Sequence, residues 1–284
     1  MLNASYSRNN ERRTDIASRS YWESINAQRA DAHTRQSTGK FRTWLTKPSA
    51  REIFYRISDR FFEPDKTKTV LEVGCAPGER LLDFARRYQY VPFGVEYTRV
   101  GVEVVRGKFK RDGIAENNCI FSDVFDPAFQ QAYKDAFDRV ISFGVVEHFS
   151  NVDEAIAAHL NVLKPQGKLL IMIPRLRGVY YPLVKSLAPD LIAKHNLTIM
   201  QKNTFCRLFQ KHNVAQEYCG YYGVLNMGIL QGRGPARMMI VKGLQLAQAL
   251  TNPLWRRCHV FENSLTSPYL LFIGIKGAAA KVEE

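Results

Sequence analysis

Acidic side chains close three successive apolar runs of this chain, and an acid and a histidine follow a fourth. Val70-Leu71-Glu72-Val73-Gly74-Cys75-Ala76-Pro77-Gly78-Glu79-Arg80 takes an apolar run into an acid, then a glycine turn, then a helical pattern opening at Gly78. Small residues at such a turn let a ligand lie against bare backbone. The unpaired N–H groups of the first helical turn favour a carboxylate or phosphate. The run 90–96 ends in Glu96, 18 positions after Gly78, where a carboxylate can accept both hydroxyls of a ribose. Dinucleotide sites use both features, so neither alone selects the ligand. The run 118–123 ends in Asp123, which either meets the ligand or caps the helix entered near Asp126-Pro127. A fourth run, 137–144, leads into Val145-Val146-Glu147-His148-Phe149.

With a fifth run at 168–174, preceded by Leu163-Lys164-Pro165-Gln166-Gly167, the series resembles the class I S-adenosylmethionine-dependent methyltransferases of the small-molecule type. The resemblance is strong over 66–174, reaches the last strand weakly and says little about the first 60 residues. The family pattern acid-x-Gly-x-Gly-x-Gly stands here as Glu72-x-Gly74-x-Ala76-x-Gly78, with alanine for the middle glycine. The resemblance implies S-adenosylmethionine as cofactor and S-adenosylhomocysteine as product. It places the cofactor against Glu72, Gly74, Cys75, Ala76, Gly78, Glu96, Tyr97, Asp123, Val124, Phe143 and Gly144, with Asp123 on the adenine amino group.

Methyl transfer asks for alignment and exclusion of water more than for reactive side chains, because the sulfonium methyl is already activated. A hydroxyl acceptor must also lose its proton, for which histidine is the usual base. The catalytic candidates are therefore His148, just past the fourth run, Glu147 beside it, and His195 as a second base. A structural role for either histidine is the competing reading. Glu147-His148 is also part of the Glu-x-x-Glu-His pattern of metal-holding methyltransferases, but Gly144 occupies the first Glu position, so no catalytic metal is expected. The Asn/Asp-Pro-Pro-Phe/Tyr element of nucleic-acid amino-methyltransferases is missing; Phe143-Gly144-Val145-Val146 stands there instead.

Alternating strand and helix patterns demand a doubly wound, mostly parallel sheet with helices on both faces. The expected architecture is a seven-stranded Rossmann-like α/β domain over 66–284, with 214–222 and 268–276 as antiparallel last strands. Residues 1–65 form an N-terminal helical extension, and 175–212 and 223–260 are acceptor-side insertions. Residues 1–20 are polar and expected to be mobile. A helix over 20–35 with Tyr21 and Trp22 either closes over the cofactor as a lid or simply docks an aromatic pair. Residues 41–62 read as a helix packing on the sheet edge. Tyr21, Trp22, Arg175, Tyr181 and Tyr222 are the candidate acceptor contacts.

The net charge of +13 is uneven: +6 over 1–60, −2 over 61–174 and +9 over 175–284. The excess thus lies outside the cofactor core, which suits either an anionic acceptor or solvated surface helices. No acid occurs between Glu217 and Glu262, whereas Arg233, Arg237, Lys242, Arg256 and Arg257 do. Peripheral membrane contact, the clamping of a large apolar substrate, a homodimer contact and an ordinary buried helix all fit that stretch. Five dispersed cysteines without a Cys-x-x-Cys pair read as reduced thiols in a cytoplasmic protein. No 18-residue apolar run is present, so no transmembrane helix is expected, and residues 1–8 lack the apolar core of a secretory signal, so none is expected.

The function expected is methylation of a small or carrier-linked acceptor, O- before N- or C-methylation, in a natural-product, glycan or lipid pathway. RNA methylation is one alternative, although no RNA-binding module accompanies the charge. A non-catalytic cofactor-binding partner protein is the other.

Overall fold

The computed structural model describes residues 15–35, 49–230, 234–255 and 262–277. The mobile segment expected at the N-terminus lies outside them up to residue 14, as do 41–48 of the second expected helix and Arg233, Arg256, Arg257 and Cys258.

Helices α1 (Arg19–Arg35) and α2 (Ser49–Ser58) precede a regular alternation: β1 (Thr69–Val73), α3 (Glu79–Tyr88), β2 (Val91–Glu96), α4 (Arg99–Arg111), β3 (Cys119–Phe121), α5 (Pro127–Ala132), β4 (Phe137–Phe143), α6 (Val152–Val162) and β5 (Leu163–Pro174). Then follow α7 (Tyr180–Leu187), α8 (Pro189–Ala193), α9 (Lys202–Gln210), β6 (Val214–Tyr222), α10 (Pro235–Trp255) and β7 (Tyr269–Lys276). The sheet order is β3-β2-β1-β4-β5-β7-β6, with β7 antiparallel to both of its neighbours and the other pairings parallel. This is the expected seven-stranded, mostly parallel α/β sheet. β1 sits where the strand order reverses, so its C-terminal end opens onto the crevice that binds ligands in open α/β sheets.

Both faces of the sheet are covered, and the strands read accordingly. Along β5, Leu169, Ile171 and Ile173 enter one apolar cluster while Leu170 and Met172 enter the other. On the first face Phe209 of α9 stacks on Phe272 of β7 at 3.5 Å. On the second, α3 buries Leu81, Leu82, Phe84, Ala85 and Tyr88. That helix starts after Gly78 in the left-handed region (φ 95°) and stops at left-handed Gln89. Glu79 at its start and Arg86 and Arg87 in its last turn complement the helix dipole.

α1 docks chiefly through polar bonds. Asn26, buried, donates to Thr98 Oγ1 at 2.8 Å. The Glu23 carboxylate accepts from the backbone N–H groups of Arg99 (2.8 Å) and Val100 (3.3 Å), capping α4 from outside its own chain segment. Ahead of it, Ile16 N donates to the His148 carbonyl at 2.9 Å.

One expectation about the cysteines is corrected. Cys206 of α9 and Cys219 of β6 form a disulfide across a Cα separation of 6.0 Å, whereas Cys75 and Cys119 are buried thiols. The 13-residue spacing resembles no motif, and the helix-to-strand return alone brings the two together. Among the described residues no helix is long and apolar enough to cross a membrane.

Candidate functional site

A cavity of about 360 Å³ opens at the C-terminal ends of β1, β2 and β4 and is roofed by α1. At one end stand the strand-tip acids. Glu96 is buried, and its Oε1 accepts from Thr98 N (2.8 Å) and Thr98 Oγ1 (2.6 Å), while Oε2 accepts from Ala76 N at 3.4 Å. Burial raises its carboxyl pKa, and these bonds to Thr98 and Ala76 oppose the rise. α4 approaches this network at Gly101, where a Cβ would fall 2.4 Å from Thr98 Oγ1 and 2.9 Å from both Asn26 Nδ2 and Glu96 Cγ.

Asp123 also lines the cavity. Its Oδ1 accepts from Phe125 N at 3.0 Å, and it does not cap the following helix. Asp126 does that, accepting from Ala128 N at 2.9 Å. The capping alternative for Asp123 is thereby removed. Gly74 holds φ 67° at the tip of β1, and a Cβ there would touch Val145 at 3.0 Å.

At the other end lie Glu147, His148 and His195, all on the cavity wall. Their ligating atoms fall within 4.8 Å of one another. Glu147 is fully buried, and among the described residues no other residue hydrogen-bonds its carboxyl oxygens; burial pushes its pKa up to about 8. His148 Nδ1 lies 2.7 Å from the Lys194 carbonyl and His195 Nδ1 2.6 Å from the Leu191 carbonyl. A carbonyl only accepts, so each Nδ1 carries the hydrogen and each Nε2 keeps its lone pair. Burial, and secondarily His195, pushes the His148 pKa down to about 3; burial also lowers that of His195. Both rings are neutral at physiological pH. Trp22 meets the His148 ring edge-on at 4.8 Å, and Lys194 Nζ sits 4.0 Å above the Tyr21 ring.

Of the expected cofactor contacts, Gly74, Ala76, Glu96, Tyr97, Asp123, Val124, Phe143 and Gly144 line the cavity. Glu72, Cys75 and Gly78 do not: Glu72 is buried, Cys75 is buried in the core, and Gly78 caps the start of α3. Of the acceptor candidates, Tyr21 and Trp22 reach the wall and three do not. Arg175 is buried with its guanidinium on the Ser264 and Ser267 carbonyls, and Tyr181 is 41% exposed. Tyr222 stacks on Tyr269 at 5.0 Å, and Tyr269 is the ring that reaches the cavity. The sequence reading missed Asn26 and Arg80 as wall residues. Arg80 had a signal, its place directly after the glycine turn; its guanidinium lies 5.1 Å from the Phe143 ring centre.

A family model described as a methyltransferase domain matches residues 46–217. Norajmaline N-methyltransferase of Rauvolfia serpentina is 28% identical over 137 residues, 48% of this chain and 46% of that protein. The chain thus spans less than half the length of the curated relatives it matches. Geranyl diphosphate C-methyltransferase from Streptomyces coelicolor A3(2), solved with Mg2+, geranyl diphosphate and S-adenosyl-L-homocysteine, aligns at a TM-score of 0.52 and 11% identity over 78% of this chain and 77% of that one. A chain from the complex of the Haloferax volcanii Trm112 methyltransferase activator with a methyltransferase aligns at a TM-score of 0.58 and 14% identity, covering 92% and 100%. At such identities the structural likeness is one of fold.

Proposed function

This chain belongs to the methyltransferase-domain family, with S-adenosylmethionine as its cofactor, and from that premise we propose that it methylates an oxygen of a small or carrier-linked acceptor in a biosynthetic pathway. One observation carries the reading: a single cavity joins the strand-tip acids Glu96 and Asp123 to the Glu147–His148–His195 cluster under Tyr21 and Trp22.

The residues fit the cofactor. The Glu96 carboxylate is pinned by Thr98 and Ala76 without being used up, since a carboxylate offers about four lone-pair sites. That is the requirement for holding a vicinal diol. Asp123 is a carboxylate on the same wall, a group type that accepts from an amino group. The bound cofactor supplies an activated methyl on a sulfonium centre. The protein's part is to orient the acceptor and keep water out, which the docked α1 and its two aromatic rings serve. We assign α1 the role of a lid on this ground. The half-buried aromatic rim suits a flat or apolar acceptor body, and the two neutral imidazoles suit a hydroxyl as its reacting group.

Incubating the protein with methyl-labelled S-adenosylmethionine and separate pools of small metabolites, RNA and protein tests the reading. Label should pass to a small-molecule fraction as an alkali-stable ether or an alkali-labile ester. Label in RNA, label on nitrogen, or cofactor binding without any acceptor-dependent product would each overturn it.

A further inference from the structure

We propose that Glu147, His148 and His195 bind a divalent transition-metal ion at the acceptor end of the cavity. Two imidazole nitrogens and one carboxylate converge there from separate parts of the chain, with ligating atoms within 4.8 Å of one another. Ligands on one such ion sit about 2.0–2.2 Å from it and therefore up to about 4 Å apart, so small side-chain rotations close the set.

Three features separate this cluster from a chance grouping. First, each histidine already gives its Nδ1–H to a backbone carbonyl, His148 to Lys194 and His195 to Leu191. That is how metal-ligating histidines are held, because it fixes the tautomer and leaves Nε2 as the donor. Second, among the described residues no other residue hydrogen-bonds either Glu147 carboxyl oxygen, although the side chain is fully buried. His148 Nε2 lies 3.6 Å from its Oε1, and the hydrogen that ring gives to the Lys194 carbonyl is on Nδ1. A cation bound between them would hold the Glu147 carboxyl ionised and give it a partner. Third, the backbone ties the halves together: Asn196 N donates to the Glu147 carbonyl at 2.7 Å, locking the segment that carries His195 onto the one that carries Glu147 and His148.

The absence of a metal expected from the sequence rested on Gly144 in place of the first acid of Glu-x-x-Glu-His. His195, distant in sequence, completes a different set here. Mixed imidazole and carboxylate donors select zinc, iron, cobalt or manganese over magnesium or calcium. All three side chains line the cavity, so the remaining coordination positions open onto the acceptor space. An acceptor hydroxyl there would be bound and acidified by the ion. That role rests on the methyl-transfer reading; the binding of the ion does not.

The test uses the full chain, stripped with a chelator and titrated with Co2+ alone, read by visible absorption, and with Zn2+ by calorimetry. One ion per chain is expected. Glu147→Gln, His195→Ala and His195→Gln should each weaken Co2+ binding by more than the roughly 10–100-fold that loss of a merely supporting partner causes. The last variant keeps the side chain's bulk and polarity and so guards against loss through misfolding. His212→Ala, at the surface pair with Asp153, should leave the affinity unchanged. Absence of stoichiometric uptake, or uptake that survives either His195 variant, overturns the site. S-adenosylhomocysteine binding without Co2+ uptake rejects the metal alone, whereas Co2+ uptake without any acceptor methylation rejects the methyl-transfer reading and keeps the site.

Discussion

Gly101→Ala probes the packing that fixes the cofactor carboxylate, and two effects of opposite sign compete there. Alanine in a helix interior is favoured over glycine by about 0.8–1 kcal/mol. Against that, the new Cβ falls 2.4 Å from Thr98 Oγ1 and 2.9 Å from Asn26 Nδ2 and Glu96 Cγ, all three side chains buried. Thr98 cannot retreat without giving up its 2.6 Å bond to Glu96 and the 2.8 Å bond from Asn26. Losing a bond to a charged group costs about 1.5–3 kcal/mol and overpacking about 1–3 kcal/mol, so the net is destabilisation by about 2–4 kcal/mol. Gly107→Ala on the same helix is the control, because its nearest foreign atom would be Arg111 Nη1 at 3.7 Å. It should gain up to about 1 kcal/mol. In thermal melts the two variants should move in opposite directions, down by roughly 5–15 °C and up by roughly 2–4 °C. Calorimetry should show S-adenosylhomocysteine affinity falling at least about tenfold in Gly101→Ala only. Equal stabilisation of both variants would refute the packing argument.

Glu96→Ala and Asp123→Ala should each weaken cofactor binding by about 1–3 kcal/mol in calorimetry, and unchanged affinity would remove either acid from the site. Trp22→Ala, which strips the edge-on partner of His148, should raise the acceptor KM while cofactor affinity stays within about twofold; a loss confined to the cofactor would place Trp22 at the wrong end. Asp138 accepts from Thr69 N and Oγ1 at 3.0 Å and from Lys164 at 3.1 Å; despite the opposing cost of burial, those bonds draw its pKa down to about 2. A depressed carboxyl stabilises the fold above its unfolded pKa and loses that as pH falls through the folded one. Asp138→Asn should therefore cost about 2 kcal/mol at pH 7, with the gap to the parent closing between about pH 4 and pH 2 in denaturant titrations.

The strands were legible because their period and their ends agree: apolar runs buried on both faces, closed by an acid or a turn, recur with helical stretches between them. The antiparallel β6–β7 pair followed from the same patterning. Side-chain direction at the strand ends was harder to read. Val70 and Glu72 share one face of β1, and Val70 packs with Leu81 and Leu82 of α3, so Glu72 is carried under that helix and away from the cavity. Tyr222 fails for a similar reason: it reaches the cavity region only through Tyr269, its cross-strand partner. Polar docking was hidden as well. Asn26 and Glu23 read as ordinary solvent-facing residues of a helix, and only the position of α4 shows that one bonds Thr98 and the other caps a helix end.

The two ends of the cavity differ in how the chain builds them, and that difference bears on what each end can do. The cofactor end is made by consecutive strand tips, so each acid is set by the sheet register that places it: Glu96 closes β2, and Asp123 follows β3, which pairs with β2. The acceptor end is made by elements that the sheet does not register. The group orienting His148 is the carbonyl of Lys194, 46 residues further along the chain. The segment that orients His148 also supplies His195, and the stretch before α1 bonds the His148 carbonyl while Trp22 covers its ring. A substitution in 188–197 or at Tyr21 or Trp22 can therefore alter acceptor chemistry without moving a strand tip, whereas Asn26 of the same helix belongs with Thr98 and Glu96. Conversely, a change at Gly101 or Thr98 reaches Glu96 and leaves both imidazoles in place. The sheet and the Glu147–His148 segment meet at the turn after β4, where Gly144 at φ 75° redirects the chain from the sheet to Glu147.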